Sequence, residues 1–238
     1  MPRLVGPLAL TLILLGACQA PPPAPAPGPA AAARVPWEVY ENVDPAEGRV
    51  YRLIAERSSI HVHVYRAGAL AERGHNHVIG AGALEGAVLV PTRGRDGARF
   101  DLVVPVGELE VDEAEVRRAL GHTFGSAVDD EARAGTRANM LGPRVLDGER
   151  FPFVAVSSRE LVGELPKLVI TAALTVRDVT REQRVPVDVR LTGDELVAEG
   201  AFAIRQSDFG IEPFSALGGL LRVEDTLTIE FRLVARSE

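Results

Sequence analysis

One cysteine, one tryptophan and two methionines are all that 238 residues contain of these types, and aromatic residues make up only 5%. A single thiol excludes an internal disulfide framework and any site built on several cysteines. Basic charge is also short, with 26 Lys and Arg against 33 Asp and Glu for a net charge of −7. Nucleic-acid affinity rests on neutralising phosphates, so this balance argues against a nucleic-acid partner. Several catalytic signatures are missing too: no G-x-S-x-G, C-x-x-C, P-loop or H-E-x-x-H occurs. The run Gly80-Ala-Gly-Ala-Leu-Glu-Gly86 lacks dinucleotide-binding spacing and opens no helix. The chain is therefore read as a binding protein, not an enzyme, and needs no cofactor. Its length suits one well-buried domain.

The lone cysteine has an informative position. Arg3 supplies a positive start, Leu4 to Leu15 form an apolar run, and small residues follow. About twelve apolar residues fall short of the ~20 that span a bilayer, so residues 1–17 read as a signal peptide. Leu15-Gly16-Ala17-Cys18 resembles the bacterial lipobox, which implies cleavage before Cys18 and lipidation of that residue. Removing residues 1–17 removes one arginine and no acid, which takes the charge to −8. Gln19 follows the cysteine, and by likeness to bacterial sorting rules a residue other than aspartate there favours the outer membrane. The expected place is the cell envelope, facing the periplasm, with the membrane held through the lipid anchor. Residues 18–36 form the lipidated cysteine and a Pro/Ala-rich linker whose composition offers nothing for a core.

From Tyr51 onward apolar residues recur with period two. Phe100, Leu102, Val104 and Val106 alternate with other residues, as do Val185, Val187, Val189 and Leu191. Leu227, Ile229, Phe231 and Leu233 repeat the pattern near the C-terminus. Such alternation marks strands with one buried and one wet face, as in antiparallel sheets. Eight or nine such runs are separated by turn-like clusters, among them Thr92-Arg-Gly-Arg-Asp-Gly97 and Thr192-Gly-Asp194. Gly80, Gly82 and Gly86 mark a bend where a barrel turns a corner. Glu113–Leu120 and Glu131–Leu141 are candidate short helices over one mouth, with Asp129-Asp130-Glu131 as a helix start. The fold expected over 50–236 is all-β: a single antiparallel lipocalin-like β-barrel of about eight strands with one or two short helices.

Four of the five histidines fall within seventeen positions, as His61, His63, His75 and His77. Members of each pair share one strand face. Pairing 63 with 75 and 61 with 77 would gather four imidazoles within reach of a metal ion, while a one-residue slip would separate the pairs. The alternative is polar side chains on a wet face. His122 stands alone in a loop.

Four stretches resemble the YceI-like family, small secreted lipocalin-like barrels associated with polyisoprenoid binding. They are Ser59-Ile-His-Val-His-Val64, Arg137 with Met140-Leu141 and Leu146-Asp-Gly-Glu-Arg-Phe-Pro152, Leu174-Thr-Val-Arg-Asp-Val-Thr180, and Arg205-Gln-Ser-Asp-Phe-Gly-Ile211. Asp178 stands where the family usually has glycine. The likeness runs in consistent order over roughly 50–235. It implies a hydrophobic small-molecule ligand, an isoprenoid or other lipid, held by inward-facing Ile60, Val62, Val64, Leu102, Val104, Leu174, Phe202, Ile204, Ile229 and Phe231. Two other readings stand beside it: a periplasmic metal-binding protein using the four histidines, and a structural envelope protein with a filled barrel.

Overall fold

The computed structural model describes residues 33–237, so the signal peptide, Cys18 and most of the linker lie outside the described residues. The chain forms β1 (Gly48–Leu53), β2 (Ser59–Val64), β3 (Arg66–Ala67), β4 (His77–Ala81), β5 (Glu85–Pro91), β6 (Arg99–Pro105) and β7 (Leu109–Val111). It continues through β8 (Phe153–Glu164), β9 (Lys167–Val176), β10 (Val179–Thr192), β11 (Glu195–Arg205), β12 (Ser215–Ala216), β13 (Leu221–Val223) and β14 (Thr226–Ser237). Among the described residues three α-helices accompany them: α1 (Trp37–Tyr40), α2 (Ala114–Ala119) and α3 (Asp130–Leu141).

Eight strands pair antiparallel in the ring β1-β5-β6-β8-β9-β10-β11-β14, and β14 closes it by pairing with β1. Closure leaves no long free edge, which is the usual remedy for a sheet of this width. Three further strands extend the wall at one end, because β14 pairs first with β2 and then with β1. In turn β2 pairs with β4, and β4 with β7. Each of the couples β1/β2, β4/β5 and β6/β7 is one wall strand broken by a kink. The second break, at residues 82–84, falls among the glycines read as a corner.

The two ends of the barrel are built differently. At one end lie short hairpins joining β5 to β6, β8 to β9 and β10 to β11. Gly193, the first of two turn residues between Thr192 and Glu195, has φ 64, which suits the tight turn a twisted hairpin needs. At the other end the two-residue β9–β10 turn sits among long connections: α2 and α3, the 206–225 stretch, and a small sheet of order β12-β13-β3. The Asp129 carboxylate caps α3 by accepting from the Ala132 N–H at 2.8 Å. Only α3 reaches over the mouth, through Thr136, Asn139 and Met140. The segment after α2 instead covers the outer wall, where Phe124 packs on His63 and Tyr65.

One seam interrupts the wall. β10 and β11 pair only from Val187↔Gly200 to Thr192↔Glu195, although β10 continues to pair with β9 along residues 179–188. Pro186 has no N–H to carry the ladder further. Beyond it, Phe209 and Ile211 pack with Leu174, Val176 and Val179 beside the parted strands. Gly200 is required at this point, since a Cβ there would lie 2.6 Å from the Pro186 carbonyl oxygen and 2.8 Å from the Phe231 ring.

The linker reading needs one correction. Val35 is only 1% exposed and packs with Tyr40, Ala87 and Val103 on the outer wall. The Tyr40 hydroxyl donates to Asp101 Oδ2 at 2.6 Å and the Trp37 indole N–H to Glu85 Oε1 at 3.0 Å. Burial, then the bond to Asp101, raises the Tyr40 hydroxyl above its ordinary pKa and keeps it a neutral donor. Proline and alanine predominate up to residue 36, but one valine and the aromatics after it strap the chain to the barrel.

Candidate ligand-binding cavity

Alternation along each wall strand sends one set of side chains inward, and the barrel encloses a cavity of about 510 Å³. This lies within the usual range for small-molecule sites. All ten residues expected to face inward line it. Others share the same frame, among them Leu168, Ile170, Val185, Val187 and Val189. The lining is hydrocarbon over most of its length and hence offers a guest few polar partners.

Apart from His77, which the sequence offered only as a metal ligand, its polar exceptions were not singled out from sequence. Gln183 sits in the inward frame of Val185, Val187 and Val189, so strand parity alone could have found it. Gln206 is buried, with its Nε2 donating to the Glu224 carbonyl at 2.8 Å. Thr136 and Asn139 come from α3, and His77 from β4.

The four-histidine cluster does not form. Strands β2 and β4 pair as His61↔Gly80, His63↔Val78 and Val64↔His77. This register is three residues from the one that would bring 63 to 75 and 61 to 77, and an odd shift exchanges faces. His77 therefore lies on the cavity side beside Val64, while His61 and His63 lie on the outer side. There His63 is 5% exposed, and its Nε2 stands 3.7 Å from Glu230 Oε2, too far for a hydrogen bond. Burial, reinforced by neighbouring His63, lowers the pKa of His61. His75 sits before β4, its Nδ1 3.1 Å from the Ser126 hydroxyl. Among the described residues no three His, Cys, Asp or Glu side chains are grouped to hold a metal.

His77 belongs to a different arrangement, centred on Asp112. This carboxylate is fully buried just after β7. Its Oδ2 lies 2.6 Å from His77 Nδ1, and its Oδ1 accepts from the Val78 N–H at 3.0 Å and from Arg117 at 2.6 Å. Burial alone would raise the Asp112 pKa, but these donors outweigh it and hold the carboxyl below its ordinary value. Arg117 also donates to the carbonyls of Asn76 and Ser126. The network ties the 66–76 connection, β4 and α2 together at the helix end of the barrel. Neither Asp112 nor Arg117 belongs to a sequence pattern that would announce it.

A family model described as YceI-like domain matches residues 51–235. The chain is similar in structure to BcnA of Burkholderia cenocepacia, with 15% identity, a TM-score of 0.54, and coverage of 76% of this chain and 98% of that one. It is also similar to the YCEI protein of Campylobacter jejuni, with 10% identity, a TM-score of 0.46, and coverage of 67% and 84% respectively. No curated protein matches the sequence.

Proposed function

Because the chain belongs to the YceI-like domain family, we propose that its barrel binds one hydrophobic small molecule, an isoprenoid or other lipid, and carries or stores it without chemical change. The observation that carries this reading is the hydrocarbon-lined cavity of about 510 Å³ at the centre of a closed barrel. Each buried methylene contributes about 0.8 kcal/mol, so about fifteen chain carbons supply roughly 12 kcal/mol. That is comparable to the roughly 4–15 kcal/mol cost of immobilising a ligand. The cavity also weighs against a barrel filled by its own side chains. Export by residues 1–17 and lipidation of Cys18 complete the proposal: an envelope lipoprotein facing the periplasm, anchored to the outer membrane.

Organic extraction of the purified protein followed by mass spectrometry tests the binding. About one equivalent of a single-chain lipid is expected. Failure to recover lipid, together with failure to take up any long-chain probe, overturns the reading. The mass of the mature N-terminal peptide tests the anchor, since an unmodified Cys18 is incompatible with it.

A further inference from the structure

We propose that the loop between β12 and β13, with Leu217 and Leu220 at its tip, seats in the surface of a lipid bilayer beside the mouth of the cavity. The choice of a bilayer as partner rests on the anchored, lipid-carrying reading above and adds to it a surface for insertion.

Single apolar side chains on a surface are ordinary, but several together on one short loop mark a place of contact. Leu217 is 62% exposed, Leu220 48%, and Phe214 before them is exposed as well. No ionisable residue lies between Glu212 and Arg222. The tip is held outward by its base, where Ser215 and Ala216 pair with Arg222 and Leu221 and β13 pairs onward with β3. The Leu220 carbonyl accepts from the Leu70 N–H at 2.8 Å, which sets the exposed Gly68 and Ala69 beside the tip. Leu217, Gly218 and Gly219 have φ of 52, 68 and 90. Glycine adopts such values freely, whereas a leucine does so against its own preference. That strain presents to solvent the most exposed large apolar side chain among the described residues.

Charge indicates the kind of surface that fits. Around the tip stand Glu72, Glu212 and Glu224 against Arg66, Arg73 and Arg222, so the rim is neutral. The whole chain is acidic at −7, and anionic headgroups therefore offer it no attraction. Insertion rests on apolar burial into a zwitterionic surface. At the hairpin end the exposed Leu165 lacks such a setting, since Glu164 and Lys167 flank it closely.

Position agrees with chemistry. Phe214 and Val223 line the cavity, so a seated tip lets a hydrocarbon guest pass to or from the bilayer without crossing water. Gly48 pairs with Pro91, Tyr40 bonds to Asp101 and Val35 packs with Val103. Followed toward its N-terminus, the chain thus climbs the outer wall from the hairpin end toward the end where the tip lies. Residues 18–34 reach at most roughly 60 Å. An anchor at Cys18 would therefore keep the tip near the membrane, where weak insertion suffices.

Tryptophan fluorescence of the full chain on phosphatidylcholine vesicles with brominated acyl chains tests this, with Leu217→Trp and Leu165→Trp compared against the unaltered protein. The Leu217→Trp emission is expected to shift to the blue and to be quenched. Leu165→Trp should show no quenching beyond that of Trp37 in the unaltered chain. Adding Leu220→Glu to Leu217→Trp should abolish the quenching, and both sites are exposed enough to spare the fold. Absence of quenching in Leu217→Trp overturns the docking, whether or not the chain is bound. Quenching in Leu165→Trp instead overturns the choice of end. A blue shift without vesicles that grows with protein concentration makes the partner a second copy of the chain and overturns the bilayer. Tighter binding of the unaltered chain to anionic vesicles than to zwitterionic ones overturns the apolar basis of insertion. Recovery of lipid and the mass of the Cys18 peptide report on the earlier reading by themselves, so the two fail separately.

Discussion

The two ends of this barrel solve different problems with the same eight-stranded wall. The hairpin end is closed by short turns and packed with hydrocarbon, and its order follows from local rules of alternation and turn chemistry. The helix end is assembled from long connections held by a few buried polar contacts, with Asp112 at their centre. Packing stabilises the first through many small, interchangeable contributions. The second adds to its packing around Phe209 a handful of buried polar contacts, in which the loss of one partner leaves another uncompensated.

The largest test of that contrast is Asp112→Ala. Removing the carboxylate leaves Arg117 buried and uncompensated, and a loss of about 3–5 kcal/mol is expected in urea unfolding. Acid should act on the same site. A carboxyl whose folded pKa is depressed stabilises the fold above its unfolded value, near 3.9, and that contribution disappears as pH falls through the folded value. The unfolding midpoint should therefore fall more steeply below about pH 4 in the unaltered protein than in Asp112→Asn. A parallel decline in both proteins would remove Asp112 from its central place.

At the hairpin end Ile170→Ala, in the packed cluster, is expected to cost about 3 kcal/mol through lost burial and an added void. Its effect should be on stability and cavity size, with the acid dependence set by Asp112 unchanged. If that dependence shifts instead, the two ends are not independent. Gly200→Ala comes next, at about 1–3 kcal/mol, because the new methyl group meets the Pro186 carbonyl and the Phe231 ring. Smallest is Asp129→Ala, which deletes the α3 cap at about 1 kcal/mol. Since no residue of α3 is buried, its loosening should show as faster release of a bound lipid probe in stopped flow. An unchanged release rate would mean that α3 does not cover the exit.

How much of this could be read from the sequence follows the same division. Alternation reports which way a strand residue faces, so all ten inward positions and the barrel itself were accessible without coordinates. The β2–β4 register was not. Twelve residues separate these strands, and nothing in that connection encodes parity, so His77 was grouped with His61 and His63 when it lies on the opposite face. Asp112 and Arg117 escaped notice because lone charges five apart look like any surface pair, and only burial distinguishes them. Val35, Trp37 and Tyr40 follow no period, so their strap across the outer wall left no rhythm to detect.

The short ladder between β10 and β11 has a consequence for the shape of the guest. Where neighbouring wall strands pair, a change in girth must break backbone hydrogen bonds. Above Pro186 and Gly200 there are none of these to break between the two strands, and only the side chains around Phe209 hold the margins together. A guest thicker than the cavity would therefore meet the least backbone resistance along this flank.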